Sequence, residues 1–430
     1  MLAGWASSGS AAVRYPRVGL TRRNMRVRIH RGAQEVGGSC VEVGAGGQSL
    51  LVDVGLPLDC ADPSAVELPE VATTSRLLGA IISHSHPDHC GLAGRLGLET
   101  PVFSGRDTEE ILKVSARYSR FTAPRVSGHF TDGAPLDIGP FKVTPHLVDH
   151  SAYDAYAFLI EADGRRLFYS GDFRGHGRKA GLFNRMVRRP PSDIHALLLE
   201  GTSVGRTACG QIDEQGVERE SAEVFNAAEG LVLTMYSPQN VDRLVSVYRA
   251  AKRSGRTLVM DLYGAELVKA LDRNSIPQPG WDGVRVYVPK SQRQGVIKTG
   301  EFDRIDAIRS SRVFLDDLLA EPRRFAMTFR ESMAPELGAV LEAPGTAAVW
   351  MMWPGYLEDG RGNIQTLFKE HGVPMSIAHS SGHARVEDLQ RLAGAIEAEK
   401  VVPIHTDSPE LVDGLFDRVE PHPDGEWWAV

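Results

Sequence analysis

No stretch of the 430-residue sequence approaches the roughly 18 consecutive apolar residues that a membrane-spanning helix requires, so no membrane partner is expected. Cysteine is scarce: Cys40, Cys60, Cys90 and Cys209 stand far apart, with no C-x-x-C pair among them. That spacing argues against a disulfide framework and against a Cys-rich structural zinc site, and it reads as reduced thiols in a cytoplasmic protein. The first 24 residues lack acidic residues and the apolar core of a secretory signal, while carrying Arg14, Arg17, Arg22 and Arg23. They are expected to form a disordered basic tail, or to precede a functional start at Met25. There is no overall surplus of positive charge either. A formal net charge of −7 speaks against attraction of nucleic acid to the whole surface.

What is present begins at Met25. "MRVRIHR", "SCVEVGA" and "QSLLVDVG" alternate like strands between Gly-rich turns, and "LLGAIIS" is a near-continuous apolar run, the mark of a strand buried on both faces. Directly behind it, "HSHPDH" packs His84, His86, Asp88 and His89 onto the loop leaving that strand. "FKVTPHLVDHSAYDAYAFLIEADGRRLFYSGDF" reads as three further strands, with His150 between the first two and Asp172 after the third. "IHALLLEGTS" is another buried strand, ending at Glu200. From about residue 206 the pattern changes to alternating strand and helix, such as "GLVLTMYS", "VDRLVSVYRAAKRSG", "RTLVMDLY" and "GAELVKALDR". The first pattern returns at 373 as strand, turn, helix, strand, with His383 at the helix entrance and His405 after the last strand. An α/β module over 206–372 is thus expected inside a β-rich one formed by 25–205 and 373–430.

Core packing does not ask for a carboxylate among three imidazoles, and here the histidines and aspartates recur at strand ends. This mixture of nitrogen and oxygen ligands suits zinc, with manganese or iron as less specific alternatives. A carboxylate such as Asp172 can bridge two ions, the arrangement used in two-metal hydrolysis, where bound water becomes a nucleophile near neutral pH.

The cluster "HSHPDH" resembles the H-x-H-x-D-H signature of the metallo-β-lactamase fold. Asp53 in "LLVDVG", His150 in "VDHS", Asp172 in "YSGDF" and His405 in "VPIHT" follow in the order that the resemblance requires. It implies an α+β, four-layer αββα fold with an inserted β-CASP domain. It also implies two divalent ions, zinc first and manganese second. His84, His86 and His150 would hold one, Asp88, His89 and His405 the other, with Asp172 bridging and Asp53 ordering the ligand loop. The insertion is similar to that of β-CASP nucleases, the group containing ribonuclease J and the eukaryotic pre-mRNA 3′-end endonuclease. "GAQEVGGSC" and "QNVDRL" resemble ribonuclease J segments, whereas Thr406 stands where glycine is usual and "WMMWPGYLEDG" is nearer to the 3′-end-processing members. The chain ends soon after His405, so the C-terminal oligomerisation domain of typical ribonuclease J chains is expected to be absent, with a homodimer as an open option.

The resemblance implies hydrolysis of RNA phosphodiester bonds, in processing or decay, by a two-metal-activated hydroxide. Histidine at the place of His405 marks RNA-active members, so single-stranded RNA is the expected substrate. Asp88, His383 and Glu200 would be the catalytic residues. His383 would protonate the leaving group or bind a phosphate oxygen, held by Glu200. His379, Ser380, Ser381 and Gly382 are expected at a phosphate, with helix N-capping as the equal alternative for the serines. Arg165, Arg166, Arg174, Arg178, Lys179, Arg185, Arg188 and Arg189 form a basic run around Asp172, and Arg178 and Lys179 are expected on the RNA backbone. Two other functions remain: a small-molecule hydrolase of the same fold, and a non-catalytic nucleic-acid-binding paralogue.

Overall fold

The computed structural model describes residues 24–60, 62–206, 212–358 and 363–430. Nearly all of the proposed basic tail, and Cys209, lie outside the described residues. Cys40, Cys60 and Cys90 are free thiols. Among the described residues no helix is long and apolar enough to cross a membrane.

The described strands form three sheets. The first runs, edge to edge, Trp427–Ala429, Arg26–Arg31, Cys40–Ala45, Gln48–Val52, Leu77–Ile81, Val102–Ser104 and Val126–His129. The second runs Val401–Ile404, Ala196–Glu200, Arg165–Tyr169, Ala155–Ala162, Phe141–Val148 and Leu136–Ile138. Their inner faces share one core, in which Val27, Val43, Leu50 and Ile81 meet Val143, Phe158, Tyr169 and Leu198. Alternation explains the pairing. In Phe141–Val148 the buried residues fall at every second position along the first half of the strand, so that one face turns to this core. Helices cover the two outer faces. Leu112 of the helix Arg106–Ser115 packs outside the first sheet, and Phe183, Leu389 and Leu392 pack outside the second. The result is the four-layer αββα sandwich.

The third sheet is parallel throughout, in the order Val284–Tyr287, Thr257–Asp261, Phe325–Thr328, Val232–Met235, Ala347–Trp350, Met375–Ile377. Apolar cores line both faces, as a parallel sheet with helical crossovers requires. Ile111 and Val114 of the helix Arg106–Ser115 join one of these cores, so one helix serves two modules. The strand Met375–Ile377 pairs in parallel with Ala347–Trp350 and therefore belongs to this third sheet. The sequence pattern returns to the first module at 373, whereas the chain itself returns only after Ile377. A three-residue, largely exposed strand carries no alternation that would reveal its partner.

Candidate active site

Five strands of the sandwich deliver the site. The loop after Leu77–Ile81 carries His84 and His86 and runs into the short helix Pro87–Cys90, which carries Asp88 and His89. His150 follows Phe141–Val148, Asp172 follows Arg165–Tyr169, Glu200 ends Ala196–Glu200, and His405 follows Val401–Ile404. The seven residues expected as ligands converge. Asp172 Oδ2 lies 3.1 Å from His89 Nε2 and 3.9 Å from both His84 Nε2 and His150 Nε2. His405 Nε2 is 3.3 Å from Asp88 Oδ2, and His86 Nδ1 is 3.1 Å from His150 Nε2. His84, His86 and His150 form one group able to hold a metal ion, and Asp88, His89 and His405 form another.

Accounting for protons fixes which ring nitrogens face the centre. Asp53 has φ +58° and accepts at Oδ2 from Ser83 Oγ (2.8 Å), Tyr169 O–H (2.7 Å) and His89 Nδ1 (2.8 Å). The single Ser83 hydroxyl proton is thereby used, so Ser83 Oγ accepts from His84 Nδ1 at 3.0 Å. His150 Nδ1 donates to the Gly382 carbonyl at 2.5 Å. Thr202 Oγ1 donates to the His405 carbonyl (3.3 Å) and so accepts from His405 Nδ1 (2.8 Å). His84, His89, His150 and His405 thus each turn an Nε2 lone pair towards the carboxylates. Burial, reinforced by neighbouring imidazoles, holds His84 and His150 well below the usual histidine range, and burial brings His86 to about 4. His84 Nε2, His89 Nε2 and Asp172 Oδ2 are buried without any hydrogen-bond partner. Orphaned lone pairs of this kind fit a cation, and the donor set suits a divalent ion.

Residues 51–207 match the beta-lactamase superfamily domain. Ribonuclease J of Sinorhizobium meliloti is 24% identical over 388 residues, 85% of this chain and 65% of the relative. The transcription termination factor FttA of Methanocaldococcus jannaschii is 28% identical over 46% of this chain and 34% of its own length. A crystal structure of an Enterococcus faecalis protein of unknown function superposes with a TM-score of 0.77 at 20% identity, covering 95% of this chain and 100% of that one. Residues 51–207 thus carry a beta-lactamase superfamily domain, and the chain as a whole is similar to ribonuclease J. It spans less than two thirds of the length of the curated relatives it matches first.

His383 stands beside the ligand cluster. Its Nδ1 is 3.2 Å from Glu200 Oε2 and 3.6 Å from Asp172 Oδ2. Burial pulls its pKa down, but the Glu200 and Asp172 carboxylates outweigh burial and raise it above the usual histidine value. Glu200 also accepts from the backbone N–H groups of Phe173 (3.2 Å) and Ala384 (3.3 Å), which fixes the carboxylate itself. A Cβ at Gly382 would overlap Ser151 Oγ, so glycine permits the close pass of this loop over His150.

Three expectations are corrected. The helix Val386–Ile396 has Arg385 at its N-cap with no side-chain cap, so neither serine caps it. Ser381 Oγ instead accepts from the His383 N–H at 3.0 Å, and Ser380 Oγ is buried without a partner. His379 donates its Nδ1 proton to the Met351 carbonyl at 3.2 Å, and burial lowers its pKa to about 4. Its remaining nitrogen is an acceptor, which does not suit a phosphate oxygen.

The basic run is mostly neutralised within the protein. Fully buried Arg174 pairs with Asp149 (3.1 Å), Glu214 (3.5 Å) and Asp242 (2.6 Å) and donates to the Ser381 carbonyl (3.1 Å). Arg178 pairs with Glu218 (2.9 Å) and donates to Ser246 Oγ (2.8 Å). Lys179 places its ammonium over the Tyr153 ring at 5.0 Å. These carboxylates come largely from distant segments, which is why the run looked unpaired in sequence. Arg178→Met should therefore cost about 1–2 kcal/mol of stability in denaturant melts, through the lost bonds to Glu218 and Ser246, while Glu218 keeps Arg253 at 2.9 Å. The salt dependence of RNA binding should not change; a flatter salt slope would return Arg178 to the RNA backbone.

Sequence reasoning passed over Thr202 and Ser83, which set tautomers, Tyr169, which donates to Asp53, and Arg243, which donates to the Ser380 carbonyl at 3.0 Å and to Glu214. Only Arg243 had a local signal, its place in "QNVDRL". The geometry gives Asp53 a measurable weight. Asp53→Asn should weaken metal affinity by about 10–100-fold in chelator competition, because His89 loses the acceptor that orients it.

Proposed function

We propose that the chain is a metal-dependent phosphodiesterase that cleaves single-stranded RNA, with zinc as the first candidate metal and manganese as the second. The carrying observation is that His383, held by Glu200, lies against the same Asp172 carboxylate on which the buried imidazoles converge. In this reading His84, His86 and His150 hold one ion, Asp88, His89 and His405 hold the other, and Asp172 lies between. The ions would supply Lewis acidity and acidify water to a pKa near 7.

The remaining steps belong to the chain's own side chains. Glu200 accepts from His383 Nδ1 and fixes the ring, so Nε2 is the nitrogen that delivers a proton to the departing oxygen. Ser381 Oγ, which accepts from the His383 N–H, keeps its own proton for a non-bridging phosphate oxygen. Arg174 and Arg243 grip the carbonyls of Ser381 and Ser380 and hold that loop at its working distance. Histidine at 405 and the ribonuclease J relatives both favour RNA over DNA. The free thiols fit a cytoplasmic setting.

The test is cleavage of one RNA labelled at either end, by zinc- or manganese-loaded protein, beside a panel of lactones and thioesters. RNA shortening with the esters intact is expected. Ester hydrolysis with intact RNA would replace the proposal by a small-molecule hydrolase. Protein purified without chelator should carry two ions, and a metal-free protein would indicate a non-catalytic paralogue.

A further inference from the structure

We propose that Trp353, Tyr356 and Arg206 form a stacking site for one unpaired nucleobase at the rim of the hydrolytic centre. The inference rests on the nuclease reading above for its substrate, and on its own geometry for its location.

Trp353 lies in the segment after the strand Ala347–Trp350, two residues beyond Met351. The Met351 carbonyl accepts from Arg243 and from His379 Nδ1, so this segment borders the Ser380–His383 loop. Arg206 comes from the other side of the seam, a few residues past Glu200 and Thr202. It pairs with Asp407, two residues beyond His405. The two sides meet where Arg206 Cζ stands 4.8 Å over the Trp353 ring. Tyr356 approaches the same indole edge-on, with ring centroids 5.4 Å apart at 87°. A Cβ at Gly355 would overlap the indole, so glycine allows the ring to fold down against its own backbone. Tyr356 is exposed, and Trp353 and Arg206 are partly exposed.

Fastening the two modules is a weak explanation for this cluster. The Arg206–Asp407 pair is open to solvent, with side chains 29% and 55% exposed, and such pairs contribute little stability. An indole, a phenol and a guanidinium at one exposed rim are instead the chemistry that takes the π-face of a base, whatever its identity. Stacked bases in a duplex hide those faces, so the site would favour single strands. It would bind a nucleotide flanking the scissile phosphate, since the cluster connects to the His405 loop on one side and to the His383 loop on the other.

The experiment uses the metal-loaded full chain and a series of single-stranded RNA oligonucleotides in which one abasic nucleotide is moved along the strand. Wild-type protein should show a KM roughly ten-fold higher when the abasic unit falls at one particular position. Trp353→Ala should raise KM on intact oligonucleotides by a similar factor, leave kcat within about two-fold, and lose the dependence on abasic position. Trp353→Leu keeps apolar volume without the ring and should behave like Trp353→Ala if folding is the concern. Unchanged KM and unchanged abasic dependence in the leucine variant would overturn the proposal, as would a loss confined to kcat. If wild-type protein cleaves none of the strands, the nuclease reading fails separately. Equilibrium binding of the same oligonucleotides, followed by anisotropy, then decides the stacking site by the same pattern.

Discussion

Asp88→Ala should leave one bound ion per chain instead of two and reduce RNA hydrolysis by about a thousand-fold or more, with the fold retained. Asp88 is the ligand whose loss removes one site without dismantling the other. Its carboxylate faces His405 Nε2 at 3.3 Å and His89 Nε2 at 3.9 Å, whereas His84, His86 and His150 converge without it. Its side chain is 14% exposed, so alanine there opens no deep cavity. The magnitude follows from the several kcal/mol of transition-state charge stabilisation that a metal supplies. Elemental analysis and kcat/KM measured on one preparation provide the check. Two ions in the variant, or ordinary turnover with one, would end the two-metal reading.

His383→Ala should keep both ions and near-normal stability while losing roughly 100-fold or more in RNA cleavage, the range that a positioned acid or base supplies. Hydrolysis of an ester by the same fold asks for no such residue. A phosphodiester places developing negative charge on an oxygen that the ions do not cover. Glu200→Gln should lose less in the same assay, since Glu200 reaches the substrate only through the ring it orients. Quench-flow cleavage beside metal analysis separates these outcomes. Wild-type rates in His383→Ala with the ions retained would refute the nuclease assignment at its most specific residue.

Much of this site can be read in sequence because its residues sit at strand exits. "HSHPDH" follows a run of buried residues, and "VDHS", "YSGDF" and "VPIHT" each close a strand whose apolar pattern is plain. Partnership across the chain is less visible. Nothing near Arg178 announces Glu218, 40 residues on, and nothing near His405 announces Thr202, 203 residues earlier. The helix Glu214–Ala227 has few apolar residues, and its buried face includes Glu214 and Glu218, which packing tolerates only because arginines meet them. Trp427–Ala429, which closes an edge of the first sheet, is three residues long, and its place depends on Arg26–Arg31 being there to receive it. Local periodicity reports which face a residue takes; pairing of charges and of short strands is decided by what arrives from elsewhere.

The guanidiniums of Arg174 and Arg243 also bear on how this protein could be engineered. In sequence the inserted module is one continuous stretch and invites excision or grafting. In the folded chain Glu214 and Asp242 of that stretch lock onto Arg174, and Arg243 of the same stretch locks onto Glu214 and the Ser380 carbonyl. Removing the stretch would leave the wholly buried Arg174 with Asp149 alone of its three carboxylates, and a buried charge stripped of partners is strongly destabilising. A transplant of this module into another scaffold would therefore have to carry Asp149 and Arg174 with it, so the unit of exchange is larger than the insertion.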